Sequence, residues 1–381
     1  MSASPEGAFG PTAHVLHIGP HKTGSTAVQA ALFHQRDDLP AHGLYVPQHK
    51  QRRRQAGWAL GLEGGPAGVP RPPMHRWNGL VAEVAAVEGL RVCVSNEDFG
   101  RASPEQARQL VDGLGGDDPQ IVAAVRNLDR LLPSLWQERV KAGIDTGYED
   151  WLKVVLGDDP NAWEKRDALG FHDVEEMVQR WVDVVGADRF TLVVIDDKDP
   201  GDLLSRFETL LGLPLGLLKG YPGESNRGLT YAEAEMMRAF NALAEKAEVP
   251  RPLRARYLNH GFVRAFKASA QRSPGPSGAP HPAWAWEWIE QQNKARADFV
   301  ASCGVRVLGS VESLRVMRPP VQVPADWEPH VPIELIAEGL FELIQKVDLD
   351  KQRTALQIEQ LTTPPAPASL LSRVARRLRR R

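Results

Sequence analysis

The stretch HVLHIGPHKTGST, His14 to Thr26, gathers two glycines, three hydroxyls and a lysine within one short turn. Gly19 and Gly24 keep the glycine spacing of the phosphate-binding pattern G-x-x-x-x-G-K-[ST], and Thr26 keeps its final hydroxyl. Ser25 stands where that pattern has its lysine, and Lys22 lies further back, inside the loop. A glycine turn between a strand and a helix points backbone N–H groups at an anion. Thr23, Ser25 and Thr26 add hydroxyl donors and Lys22 adds charge, so phosphate recognition is the expected chemistry. The competing reading is a glycine turn that only reverses the chain.

A second set of anion-binding types lies in QIVAAVRNLDRLLPSLWQERVKAG, with Arg126 at a strand end and Ser134 eight residues on. Pro133 suits the first position of a helix, where its missing N–H costs nothing. Ser134 would then sit in the first helical turn, where the dipole favours an anion. The alternative is a helix that starts earlier and kinks at Pro133. In either case a guanidinium and a hydroxyl can converge on one phosphate. A surface arginine and an incidental serine are the bland alternative.

RVCVSNEDFGRAS places Glu97 and Asp98 just beyond another strand, where open α/β sheets put their ligand crevice. Glu97 is the candidate general base, and such a base works best with its pKa raised towards neutrality. Asp98 fits a helix N-cap or ion-pair role better. His42 and His49 are the other candidates for the base.

These residues need a scaffold of strands and helices. Short apolar runs alternate with helical patterns over the first two-thirds of the chain, which predicts an α/β fold with three layers around a mostly parallel sheet. His14–Ile18, Arg91–Ser95, Gln120–Val125 and Arg189–Ile195 read as strands. Ser25–His34, Ser134–Lys141, Val174–Val185 and Gly201–Leu211 read as helices. Residues 50–76, rich in Arg, Gly and Pro, read as an irregular excursion. Beyond about residue 225 the strand signals fade, and Thr230–Glu248, Arg251–Ala270 and Trp284–Ser302 read as helices around the breaker-rich SPGPSGAPHP. The expected division is an α/β core over 10–225, a helical extension over 226–345 packed on it, and a flexible basic tail over 346–381.

The 381 residues supply ample core, with 42% hydrophobic and 25% charged residues and a formal net charge of −2. So balanced a charge argues against general nucleic-acid binding. Two cysteines, Cys93 and Cys303, read as free thiols in a reducing compartment. The N-terminal MSASPEGAFGPT has no signal-peptide pattern, and no stretch has membrane-span length, so the expectation is a cytoplasmic protein. Thirty prolines and abundant Ala and Arg suggest a GC-rich bacterial source.

Together the two anion motifs resemble the sulfotransferases that use 3′-phosphoadenosine-5′-phosphosulfate (PAPS), particularly a bacterial branch with a P-loop-like fold. That family carries a K-T-G-S-T loop and an Arg-x7-Ser element, matched here by Lys22-Thr23-Gly24-Ser25-Thr26 and by Arg126 with Ser134. RFTLVVIDDKDPGDLLSRFETLLGLP and ESNRGLTYAEAEMMRAFNAL extend the likeness over roughly residues 14–245, with a looser match to about 315. The resemblance implies that the Lys22–Thr26 loop binds the 5′-phosphosulfate and that Arg126 and Ser134 bind the 3′-phosphate. It also implies that Lys22 stabilises the oxygen bridging phosphorus and sulfur as it departs, and that Glu97 or a histidine takes the acceptor's proton. PAPS would be the co-substrate, no metal would be needed, and a carbohydrate hydroxyl is the expected acceptor. The rival readings are an ATP-dependent kinase, opposed by Ser25 in the lysine slot, and a non-catalytic scaffold that binds the nucleotide product.

The remaining motifs carry less. His14 and His17 point to opposite faces of one strand, so with His21 they do not read as a metal site. Asp196, Asp197 and Asp199 read as turn formers, Trp284, Trp286 and Trp288 as helix packing, and Arg52–Arg54 as a solvated loop. Asn226 and Arg227 are weaker candidates for the nucleotide's 3′ side. The tail Leu370–Arg381 places Leu370, Leu371, Val374 and Leu378 on one helical face among arginines. Weak contact with an anionic membrane surface is one expectation for it, and an unstructured basic tail is the other.

Overall fold

The computed structural model describes residues 7–47, 50–63, 69–199, 201–220, 228–319, 323–324 and 327–362. Its centre is a six-stranded parallel sheet in the order β2-β3-β1-β4-β5-β6. The strands are β1 (His14–Gly19), β2 (Leu44–Tyr45), β3 (Arg91–Ser95), β4 (Pro119–Val125), β5 (Phe190–Val194) and β6 (Arg306–Leu308). The four central strands are near-continuous apolar runs, as parallel strands covered on both faces must be.

Helices cover both faces. On one, Val15, Cys93, Val122 and Val193 pack against α1 (Ser25–His34) and a helix after β5, Asp202–Leu211. On the other, Leu16, Ile18, Val94 and Val125 meet the helices His75–Ala85, Pro104–Leu114, Val174–Val185 and Ala283–Ser302. The chain therefore leaves β1 towards one face and leaves its neighbour β3 towards the other. That divergence opens a crevice at the carboxyl ends of β1, β3 and β4. A third apolar cluster binds α5 (Leu128–Lys141, the fifth helix) to Tyr148–Leu156, Tyr231–Lys246 and the C-terminal helix Ile333–Thr362.

Four expectations are corrected. Residues 50–76 are not irregular throughout: Lys50–Ala59 is a helix and another starts at His75. Ala56 and Ala59 are fully buried in the same cluster as Phe99, a packing role that the Arg-rich composition hides. Pro133 does not start a helix, and the alternative of an earlier start holds: α5 begins at Leu128, with the Asn127 side chain accepting from the Asp129 N–H at 2.8 Å. Ser134 is accordingly mid-helix, away from the dipole's positive end. The proline removes the N–H that would meet the Asp129 carbonyl, and Arg318 Nη2 (2.6 Å) and His281 Nε2 (3.1 Å) bond that oxygen instead. A strand also lies beyond residue 225, because the three residues of β6 extend the sheet at β5, too short a run to show periodicity. The region from 346 onward begins as helix, since Ile333–Thr362 carries on through it. The basic tail Leu370–Arg381 lies outside the described residues, as do His49, Asn226 and Arg227.

Candidate active site

The loop after β1 is built by close approach. Gly19 has φ +84°, and a Cβ there would fall 2.9 Å from the Glu97 Cα, so only glycine lets β1 end against the Glu97 turn. Gly24, at φ +85°, caps α1, and Lys22 between them is itself left-handed at φ +66°. Thr23 Oγ1 donates to the Pro20 carbonyl at 2.7 Å and Ser25 Oγ to the same oxygen at 3.2 Å. Thr23 is buried and braces the loop from inside.

Above the loop is a cleft of about 620 Å³. Its walls bring together Lys22, Gly24, Ser25, Thr26, Glu97, Arg126 and Ser134, all the first-choice site residues except Thr23. Arg126 extends from the end of β4, its Nη1 donating to the Lys22 carbonyl at 3.1 Å. The rest of its guanidinium pairs with Asp197, Nε donating to both carboxylate oxygens at 3.1 Å. Lys22 Nζ donates to Glu138 Oε1 at 2.5 Å, and Lys141 Nζ reaches the same oxygen at 2.7 Å. Burial lowers the Lys22 pKa from its ordinary value, against the opposing pull of Glu138. Burial would raise Glu138, but Lys22 and Lys141 hold it well below the usual carboxylate range.

Glu97 opens the short turn after β3, half-buried beside Gln29, whose side-chain amide donates to it, and 3.9 Å from Arg54. Burial pushes its carboxyl up, yet His21, Arg54 and the Gln29 hydrogen bond outweigh that and leave it below its ordinary value. This is the reverse of the shift that suits a general base. Asp98 is a buried structural acceptor, taking hydrogen bonds from Trp58 Nε1 (3.0 Å) and pairing with His21 Nε2 at 2.9 Å. His42 ends an exposed turn and does not line the cleft.

Sequence reasoning missed the acidic partners. Glu138 lies one helical turn beyond Ser134 in SLWQERVK, so the i, i+4 spacing already placed both on one face. Asp197, read as a turn former, is the partner of Arg126; Asp196 and Asp199 do cap their own turn, accepting from Lys198 N and Gly201 N. Asp167 draws Arg101 and Arg139 into the cleft wall. His14 and His17 bond the Leu114 carbonyl and Ser95 Oγ. Among the described residues no three His, Cys, Asp or Glu side chains gather as for a metal ion, and no helix is long and apolar enough to cross a membrane.

No protein family matches the chain, and no characterised protein matches it in sequence. Among solved structures it is similar to a sulfotransferase from Alicyclobacillus acidocaldarius. The identity is 15%, over 62% of this chain and 94% of that one, with a TM-score of 0.38.

Proposed function

We propose that the protein is a PAPS-dependent sulfotransferase that transfers the sulfuryl group to an acceptor hydroxyl and releases adenosine 3′,5′-bisphosphate (PAP). The observation that carries this reading is the convergence in one cleft of Lys22 from the loop with Arg126 and Ser134 from the β4–α5 segment. A triphosphate loop places its lysine after the second glycine, on the β/γ-phosphates. Here Ser25 fills that position, and its hydroxyl bonds the Pro20 carbonyl. The positive charge sits further back, where a shorter phosphosulfate would end.

In this reading the N–H groups at the start of α1 and the Thr26 hydroxyl hold the phosphosulfate, while Arg126 and Ser134 take the 3′-phosphate. The acceptor oxygen attacks sulfur in line, the bond from sulfur to the bridging oxygen breaks, and Lys22 meets the charge that grows on that oxygen. Glu97 is the candidate to take the acceptor's proton. It is ionised in the free protein, and a bound anion beside it raises its proton affinity. The acceptor is proposed to be a carbohydrate hydroxyl, on the strength of the family resemblance.

Thermal-shift titration with PAP and with ATP tests the donor class. A ligand at a hundredfold its Kd adds about 2.7 kcal/mol of stability. Stabilisation by PAP is expected; stabilisation by ATP alone would make the protein a kinase instead.

A further inference from the structure

The turn that carries Arg126 is held from the far end of the chain. Asn293 and Arg296 lie three residues apart in the helix Ala283–Ser302, on one face of it. Arg296 Nη2 donates to the Arg126 carbonyl at 3.2 Å and Nη1 to the His172 carbonyl at 2.6 Å. Asn293, fully buried, accepts from the Leu128 N–H at 2.9 Å and donates to Asn127 Oδ1 at 2.8 Å. Asn127 Nδ2 in turn donates to the carbonyls of Leu314 (2.8 Å) and Val316 (2.7 Å). Every residue from Arg126 to Asp129 is thus bonded by the segment from His281 to Arg318.

Fastening two layers together does not call for a guanidinium here. Arg296 leaves its buried Nε without a hydrogen-bond partner among the described residues, a cost that an apolar side chain would avoid. What the arginine supplies is direction, because a fixed fork fixes the carbonyl it holds. That carbonyl belongs to Arg126, whose side chain spans from Asp197 to the Lys22 carbonyl. We propose that Arg296 and Asn293 are positioning residues for the anion site, so that the C-terminal helical segment is a working part of it. This rests on the reading of Arg126 as a phosphate ligand.

The test compares the full chain with Arg296→Met, Arg296→Lys, Asn293→Leu and, as a reference, Arg126→Ala. Two quantities are read: hydrogen exchange of backbone amides in residues 126–132, and Kd for PAP by calorimetry. Arg296→Met and Asn293→Leu should speed exchange in that segment at least tenfold while leaving exchange in residues 19–26 close to wild type. PAP affinity should fall about tenfold, the scale of one charged hydrogen bond, with partial recovery in Arg296→Lys. Unchanged exchange in 126–132 would overturn the proposal. So would faster exchange with wild-type PAP affinity, which is what mere fastening predicts. If wild type and Arg126→Ala bind PAP equally, the phosphate reading of Arg126 fails, and exchange still decides whether the helix holds the turn.

Discussion

Lys22 Nζ lies 2.5 Å from Glu138 Oε1, so the loop's one ammonium is engaged by a carboxylate of α5. A donor oxygen must take the place of that carboxylate. Glu138→Gln keeps the shape and removes the competing charge, and Lys22 and Lys141 then face the cleft without their shared counter-ion. PAP should bind about fivefold more tightly at low salt, the effect of roughly 1 kcal/mol of Coulomb energy, with the gain shrinking as salt is added. Calorimetry at two ionic strengths reads this, and weaker binding by the variant would show that Glu138 helps to build the site.

In the proposed mechanism the contact of Lys22 with the departing oxygen strengthens as charge grows there, so its main effect falls on the transition state. Lys22→Ala should cut kcat on the order of 10²-fold or more while changing the PAP Kd less than tenfold. Equal losses in both would contradict a transition-state role. Because burial lowers the Lys22 pKa, the alkaline limb of the kcat profile should begin below the ordinary lysine value of 10.5.

Two glycines of the loop separate two kinds of constraint. At Gly19 an added Cβ meets the Glu97 backbone at 2.9 Å, and at Gly24 it meets only the Leu203 side chain. Both are left-handed, so alanine strains either one by about 1–2 kcal/mol. Gly19→Ala should lose about 1–3 kcal/mol more, because a main chain does not give way as a side chain does. Urea unfolding of the pair checks the order, and equal midpoints would contradict it.

His17, in the middle of the β1–loop unit, links fold stability to pH. Burial lowers its pKa from 6.5 to about 4, with Glu97 pulling weakly the other way. The folded state therefore binds fewer protons than the unfolded chain between those values. The contribution of His17 is complete above pH 6.5 and is lost as pH falls towards 4, amounting to about 3 kcal/mol. His17→Gln should flatten the stability profile across that window, and an unchanged slope would show that other groups set it.

The first-choice residues that line the cleft were legible because each sits at a junction that sequence marks. Lys22 to Thr26 follow an apolar run and open a helix, Arg126 ends another run, and Glu97 follows a third. The counter-charges were not legible, because Asp197 meets Arg126 and Glu138 meets Lys22 across the fold, and no local pattern encodes those meetings. The helix at 50–59 hid for a similar reason, its small residues being selected by Phe99 and its neighbours. The proline in α5 left the helix start open between two readings, because the partners that relieve it, Arg318 and His281, are more than a hundred residues away. The three-residue β6 carried too little pattern to be seen.

The most direct measurement is transfer of ³⁵S from labelled PAPS into a host-cell extract by the wild-type protein and by Lys22→Ala. A labelled product that appears with wild type and nearly vanishes with the variant is the predicted result. PAP binding with no labelled product from the wild-type protein would contradict sulfuryl transfer and leave a nucleotide-binding scaffold.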